Sequence, residues 1–190
     1  AQMELEMAME SLIRQLEETG IADDTVIVIS PDHYPYALER STTWGNAENY
    51  LTELYGVTEM DRFTRDSNAL IIWSGCLEDK NLKVETPVYS LDILPTLSNL
   101  FGLNYDSRLL VGRDVFSDTE PLVLWPEYSW KTDKGTYDSG SRTFTPAEGV
   151  EIDDSYVDRI KAIVSNKISY SREVQNLKYF QVLSDFLNGK

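Results

Sequence analysis

The sequence is poor in three residue classes that common functions require. Its 190 residues include one cysteine, one histidine and only 17 lysines and arginines, against 32 aspartates and glutamates. A single cysteine excludes an internal disulfide and leaves the cellular compartment open. The formal net charge of −15 argues against nucleic-acid binding, because phosphates must be neutralised by basic side chains. It also argues against docking on anionic lipid without an intervening cation, whereas it suits bound metal ions or cationic partners.

Long apolar runs and nucleotide-binding signatures are missing as well. The longest apolar stretches, such as residues 26–29 and 69–73, are far too short to span a bilayer. The sequence contains no glycine-rich dinucleotide fingerprint, no P-loop and no nucleophile-elbow serine. Hydrophobic residues still make up 42% of the chain, which predicts a folded core. Because the first residues lack a start methionine and already have a helical pattern, we expect the chain to begin inside a longer protein.

The order of the predicted elements is typical of an α/β protein. Apolar residues at offsets of four, seven, eight and eleven from Leu5 predict an amphipathic helix that ends at Gly20. Residues 25–30 (TVIVIS) and 69–73 are apolar at consecutive positions, which indicates strands buried on both faces of a parallel sheet. Further helices are predicted at 46–55 and at 91–101, the second with Ile93 and its leucines facing inward.

The composition changes near Asp118, and we place a domain boundary there. Residues 1–118 are assigned to the α/β part and residues 119–190 to a small C-terminal subdomain. In this subdomain a strand at 122–125 precedes an antiparallel hairpin in which Trp130 and Tyr137 flank a turn over 132–135. A helical pattern then covers residues 153–187.

The strongest site signal is the pair Asp32-His33, which follows the carboxyl end of the strand at 25–30. Open α/β sheets bind their ligands at this end. A carboxylate and an imidazole are suitable ligands for a divalent ion such as Mn²⁺ or Zn²⁺, and Pro31 favours the turn that lets both reach one ion. The dipeptide alone is explained equally well by a loop histidine beside a turn-forming aspartate, and two ligands do not complete a metal site.

Other residues support weaker hypotheses. Cys76 with His33 as its base would form a nucleophile, but a lone cysteine beside an apolar strand is more often a packing residue. Tyr34, Tyr36 and Trp44 follow the Asp-His pair. They are interpreted either as the lining of a polar substrate pocket or as ordinary loop aromatics.

The order of five segments resembles a known superfamily: LIRQLEETG, DDTVIVISPDHY, NALIIWSG, TPVYSLDILPTLSNLFGL and GRDVFSD. It is similar to the C-terminal half of the catalytic domain of the alkaline phosphatase/sulfatase superfamily, and within it to the lipoteichoic acid synthase group of phosphoglycerol transferases. The resemblance implies a partial three-layer sandwich with a buried, largely parallel sheet, followed by a small antiparallel hairpin and terminal helices. The Asp-x-x-Pro-Thr motif of that group corresponds to Asp92, Pro95 and Thr96. Pro31 and Pro35 stand where the family usually has glycine.

The resemblance implies a metal-dependent transferase acting on phosphate esters. Asp32 and His33 would be two ligands of a divalent ion, Mn²⁺ in preference to Zn²⁺, Ca²⁺ or Mg²⁺, and Tyr34 would contact the substrate. The family's threonine nucleophile and glutamate ligand lie upstream, so no catalytic residue is assigned here and the chain is expected to be inactive without the missing N-terminal half. The implied substrate is a glycerolphosphate-bearing lipid or another phosphate or sulfate ester. The implied location is the extracellular face of the bacterial membrane, to which the full-length protein is anchored.

Two alternative functions remain open at this point. One is a sulfuric or phosphoric ester hydrolase of the same superfamily, which the identity of the upstream nucleophile would distinguish from a transferase. The other is a non-catalytic acidic interaction module that retains the fold.

Overall fold

The computed structural model describes residues 2–38, 47–80 and 82–189, which form a mixed α/β structure as predicted. The chain divides into two compact units, Ala1–Lys83 and Val84–Lys190. The elements of the first unit are α1 (Gln2–Glu18), β1 (Ile27–Ile29), α2 (Ala47–Tyr55), α3 (Arg62–Arg65) and β2 (Ile71–Trp73). Those of the second are α4 (Ile93–Leu100), β3 (Val123–Leu124), β4 (Trp130–Thr132), β5 (Gly135–Asp138), β6 (Thr143–Pro146), α5 (Tyr156–Asn176) and α6 (Tyr179–Leu187). The domain boundary at residue 118 stays a prediction, because compactness does not test which segments belong to one catalytic domain.

The two strands of the first unit pair in the opposite sense to the one predicted. β1 and β2 are antiparallel, with Val28 opposite Ile72. Ile29 lies opposite Ile71, and both side chains are exposed. The prediction of a parallel sheet buried on both faces is therefore wrong for these strands. A run of consecutive apolar residues indicates that a strand can be buried on both faces. It does not indicate whether the neighbouring strand runs parallel or antiparallel.

α1 follows the prediction at its C-terminal end and only partly along its apolar face. Gly20 has a φ of +73°, the left-handed conformation that ends a helix and that glycine adopts without steric strain. The predicted apolar face is divided between half-buried side chains, those of Met9, Ile13 and Leu16, and exposed ones, those of Leu5 and Leu12. The helix therefore buries only one part of its apolar stripe.

The second unit has its core between a four-stranded antiparallel sheet and α5. The strands lie in the order β3-β4-β5-β6, and Trp130 lies opposite Tyr137 as the hairpin prediction required. The Trp130 side chain is fully buried, and its ring centroid lies 5.5 Å from that of Tyr137 in a stacked arrangement. The core continues into α5 through Tyr156, Ile160 and Val164. These aromatic and aliphatic contacts hold the hairpin against the helix.

The C-terminal helical pattern is interrupted once. Lys178 adopts a φ of +48°, so residues 153–187 form α5 and α6 rather than one helix. No residue of α6 is buried, and its large apolar side chains include the exposed Phe180 and Phe186. Within the ranges that the structure describes, no helix has the length and apolarity needed to cross a membrane.

The inward face of α4 is more polar than predicted. Of its predicted apolar residues, Ile93 and Leu97 are half-buried, whereas Leu94 and Leu100 are exposed. The buried residues at the start of the helix and along it are Asp92, Pro95, Thr96 and Ser98. The Asp92 carboxylate accepts the backbone N–H groups of Tyr89 at 3.2 Å and Arg113 at 2.8 Å. Thr96 Oγ1 donates to the Asp92 carbonyl at 2.6 Å and accepts the N–H of Val115 at 3.0 Å.

A glycine allows this close approach of α4 to the following loop. A Cβ atom at Gly112 would collide with the carbonyl group of Leu91, which is backbone and cannot turn away. The Asp-x-x-Pro-Thr motif therefore joins the start of α4 to residues 112–115 through buried hydrogen bonds.

Candidate metal centre

β1 leads directly into a bend that carries the predicted ligands. Asp32 and His33 lie between this strand and a 3₁₀ turn at Tyr36–Leu38. In a strand, neighbouring side chains point to opposite faces, but in this bend they converge. His33 Nε2 lies 3.4 Å from Asp32 Oδ1. The structure thus brings together the two residues that the sequence singled out.

The second nitrogen of the imidazole is already bonded. His33 Nδ1 lies 2.7 Å from the carbonyl oxygen of Tyr34. A carbonyl oxygen only accepts hydrogen bonds, so Nδ1 carries the proton and the neutral ring has its lone pair on Nε2. Metal-binding histidines typically donate their other N–H to a carbonyl or carboxylate in this way. The nitrogen that faces Asp32 is therefore the one able to bind a cation.

The distance and exposure of the two atoms fit a divalent ion. Ligands about 2.1 Å from one ion lie roughly 3.0–3.4 Å from each other in octahedral or tetrahedral geometry. The side chains are also open to solvent, since 87% of Asp32 and 49% of His33 is exposed. In residues 2–38, 47–80 and 82–189, no group of three or more His, Cys, Asp or Glu side chains is placed to hold a metal. The described residues therefore offer a pair of ligands rather than a full set.

Two tyrosines form an aromatic wall beside the pair. The ring of Tyr36 lies 4.4 Å from that of His33, centroid to centroid, and is tilted by 48°. Tyr34 meets Tyr36 edge to face at 6.2 Å. The Tyr36 ring is thus close enough to contact a molecule bound at the pair, and the Tyr34 ring adjoins Tyr36. The third predicted aromatic, Trp44, lies outside the described residues.

Arg65 is part of this cluster although the sequence did not reveal it. Its Cζ atom lies 4.6 Å from the centroid of the Tyr34 ring, over the ring face, in a cation–π contact. Its Nε donates to Asp66 Oδ1 at 2.9 Å. No local pattern connects Arg65 with Tyr34, because α2 and the first residues of α3 lie between them along the chain. Only the fold brings the two side chains together.

The backbone next to Arg65 is held by α2. The hydroxyl of Tyr55 lies 3.1 Å from the carbonyl oxygen of Arg65 and 3.0 Å from that of Ser67. Burial, and then the negative charge of Asp66, raise the pKa of Tyr55 above its usual value. The hydroxyl therefore stays protonated at neutral pH, and its one hydrogen is shared between these two carbonyl oxygens.

Cys76 does not match the expectation of a packing residue. Its side chain is exposed, and its Sγ lies 3.3 Å from Ser74 Oγ. The imidazole of His33 is bonded to Tyr34 and paired with Asp32, so the geometry gives no support to a Cys-His arrangement.

Comparison with known proteins supports the resemblance seen in the motifs. No protein-family model matches the chain. It is 24% identical to lipoteichoic acid synthase 2 of Bacillus subtilis (strain 168) over 178 residues, which are 90% of this chain and 26% of that protein. It is 27% identical to the lipoteichoic acid synthase of Staphylococcus saprophyticus over 125 residues, 62% of this chain and 18% of that protein. The chain therefore spans about a quarter of the length of the first relative and less than a fifth of the second. Over most of its length it is a distant homologue of the lipoteichoic acid synthases.

Proposed function

We propose that this chain is part of a metal-dependent phosphoglycerol transferase in which Asp32 and His33 bind a divalent ion. The observation that carries the proposal is the 3.4 Å distance between His33 Nε2 and Asp32 Oδ1 in a solvent-open bend. The similarity to two lipoteichoic acid synthases supports a transferase rather than an unrelated metal protein. Mn²⁺ is the proposed ion, because it accepts mixed carboxylate and imidazole ligands.

The residues of this chain have separate tasks in that reaction. When bound, the ion would neutralise charge that develops on the phosphate and lower the pKa of an attacking hydroxyl. Asp32 contributes the negative charge that attracts the ion. His33 contributes Nε2, because its other ring nitrogen, Nδ1, is bonded to the Tyr34 carbonyl. Tyr34 borders the pair and is the proposed substrate contact.

The charge of the chain favours this use of an ion. A net charge of −15 repels an anionic lipid, so the phosphate needs a local cation to approach. We propose a glycerolphosphate-bearing lipid as the substrate and the outer face of the bacterial membrane as the location. The nucleophile and the remaining ligands are proposed to come from the part of the protein that corresponds to the rest of the relatives' length.

Glycerol phosphate release by the full-length protein tests the proposal. Excess EDTA should abolish release and added Mn²⁺ should restore it. Asp32→Ala and His33→Ala should each lower kcat/KM by about a hundredfold or more, because each removes a metal ligand. Glu148→Ala, which removes one exposed carboxylate of the second unit, is the matched control and should retain activity.

Three outcomes would contradict the proposal. Turnover that is unchanged in excess EDTA would exclude the metal-dependent reaction. Hydrolysis of phosphate or sulfate esters without transfer would replace the transferase by the hydrolase alternative. Inertness towards all of these substrates would favour the non-catalytic module.

A further inference from the structure

The ring of Tyr34, the residue that follows the metal pair, lies against an arginine that is itself held in place. Arg65 is the last residue of α3, whose first turn is capped by Asp61 through the N–H groups of Phe63 at 2.7 Å and Thr64 at 3.1 Å. The Arg65 side chain is about one-third exposed and is bonded to Asp66. A guanidinium with a fixed Nε presents a planar face in a defined direction.

That face lies against the ring of Tyr34. The distance of 4.6 Å from Arg65 Cζ to the ring centroid is well inside the range of cation–π attraction. The weakly hydrated, planar guanidinium suits this contact better than an ammonium group, which lacks the flat surface for stacking. Arg65 therefore restricts where the Tyr34 side chain lies.

The backbone of Tyr34 in turn determines the state of His33. The Tyr34 carbonyl accepts the proton on Nδ1 at 2.7 Å, and this bond leaves Nε2 as the nitrogen that faces Asp32. A shift of Tyr34 would weaken this hydrogen bond and allow the proton to move to Nε2. In that tautomer the imidazole has no lone pair on the side of Asp32.

We propose that Arg65 is a positioning residue for the metal pair: through the Tyr34 ring it holds the carbonyl that selects the Nδ1–H tautomer of His33. This inference rests on the proposed function only for its purpose, since the tautomer exists without a metal. It gives a specific role to α3, a helix that supplies no ligand.

The single histidine of the chain makes this inference directly measurable. In ¹⁵N-labelled protein every imidazole nitrogen signal belongs to His33, so its tautomer can be read from the nitrogen shifts at alkaline pH. The wild type should show Nδ1–H as the main form. Arg65→Ala should shift the population towards Nε2–H by about two- to fivefold, the equilibrium change expected from an exposed cation–π contact. Arg65→Lys, which keeps the charge and loses the planar face, should lie between the two.

Two further variants separate positioning from a loss of folding or charge. Arg14→Ala removes an exposed arginine of α1 and should leave the His33 signals as in the wild type. In a Tyr34→Leu background, Arg65→Ala should have no additional effect, since the ring that transmits it is gone. Far-ultraviolet circular dichroism identifies any variant that fails to fold. If Arg65→Ala does not fold, the tautomer population in Arg65→Lys still tests whether the planar guanidinium positions Tyr34.

Mn²⁺ addition separates the failure of this inference from that of the proposed function. Selective broadening of the His33 signals in the wild type, with about two- to fivefold weaker binding in Arg65→Ala, supports both. If Mn²⁺ broadens the wild-type signals but Arg65→Ala keeps the wild-type tautomer population and Mn²⁺ affinity, the positioning role of Arg65 is overturned and the metal site is not. Absence of selective broadening in the wild type would count against the metal site, while the tautomer shift without metal would still test Arg65.

Discussion

At the scale of single residues, Glu120 shows how partial burial and charge act against each other. It accepts hydrogen bonds from Lys134 Nζ at 3.2 Å, and from the Tyr156 hydroxyl and an Arg159 guanidinium nitrogen at 3.4 Å each. Burial alone would raise the pKa of this carboxyl group. The hydrogen bonds and charges of Lys134 and Arg159 outweigh burial and lower the pKa below its usual value.

The lowered pKa of Glu120 predicts a pH dependence of stability. The unfolded chain takes up this proton near pH 4.3, above the folded-state pKa, so acid favours unfolding. The stabilisation is present above that pH and is lost as the pH falls through the folded-state pKa. The difference in the free energy of unfolding between wild type and Glu120→Gln should therefore be largest near pH 7 and shrink below about pH 4.

Urea unfolding at several pH values, followed by tryptophan fluorescence, measures this difference. Glu148→Gln, an exposed control, should follow the wild type throughout. A difference for Glu120→Gln that stays constant from pH 7 to pH 3 would contradict the assigned ionic contacts.

The predicted residues and the missed ones differ in how far apart their partners lie along the chain. Asp32, His33 and Tyr34 are consecutive and follow a strand, so a local pattern was enough to find them. The burial of Asp92 depends on an N–H group of Arg113, and the role of Arg65 depends on Tyr34. Contacts between residues so far apart along the chain form only when the chain folds, and no local sequence pattern predicts them.

At the scale of elements, one hydroxyl group contributes to the attachment of α4 to the loop that follows it. Thr96 Oγ1 donates to the Asp92 carbonyl and accepts the N–H of Val115. Both Thr96 and Val115 are buried. Thr96→Val keeps the shape of the side chain but leaves this N–H group without an acceptor. It should lower the free energy of unfolding by about 1–3 kcal/mol.

Thr96→Ser is the matched control for that prediction. It keeps the hydroxyl and both hydrogen bonds and removes only a methyl group, so it should be less destabilising than Thr96→Val. Urea midpoints monitored by circular dichroism compare the two variants. Equal destabilisation by serine and valine would show that packing, and not the hydrogen bond, holds α4.

The elements also show which kinds of pairing a sequence specifies. The hairpin of β4 and β5 was predicted correctly because its register follows from a short turn between Trp130 and Tyr137. The pairing of β1 with β2 was predicted with the wrong direction, since the chain between them is long and the apolar runs fit either direction. The buried polar residues of α4 were missed because the spacing of leucines predicts an amphipathic helix only. It does not show that Asp92 and Thr96 would find hydrogen-bond partners in residues 113–115.

At the scale of the whole molecule, the excess of acidic residues affects every test of metal binding. A chain with a net charge of −15 attracts divalent cations over its entire surface. Loss of a carboxylate anywhere therefore weakens this general attraction slightly. Evidence for a site must come from variants that lose the same charge at different positions.

Calorimetric titration of Mn²⁺ into the 190-residue chain measures whether Asp32 and His33 bind a metal ion. We expect weak, saturable binding to the wild type, its loss in the double variant Asp32→Ala/His33→Ala, and its retention in Glu148→Ala. The double variant and Glu148→Ala each remove one carboxylate, so the comparison holds the change in formal charge constant. Identical titration curves for the wild type and the double variant would contradict the assignment of Asp32 and His33 as metal ligands.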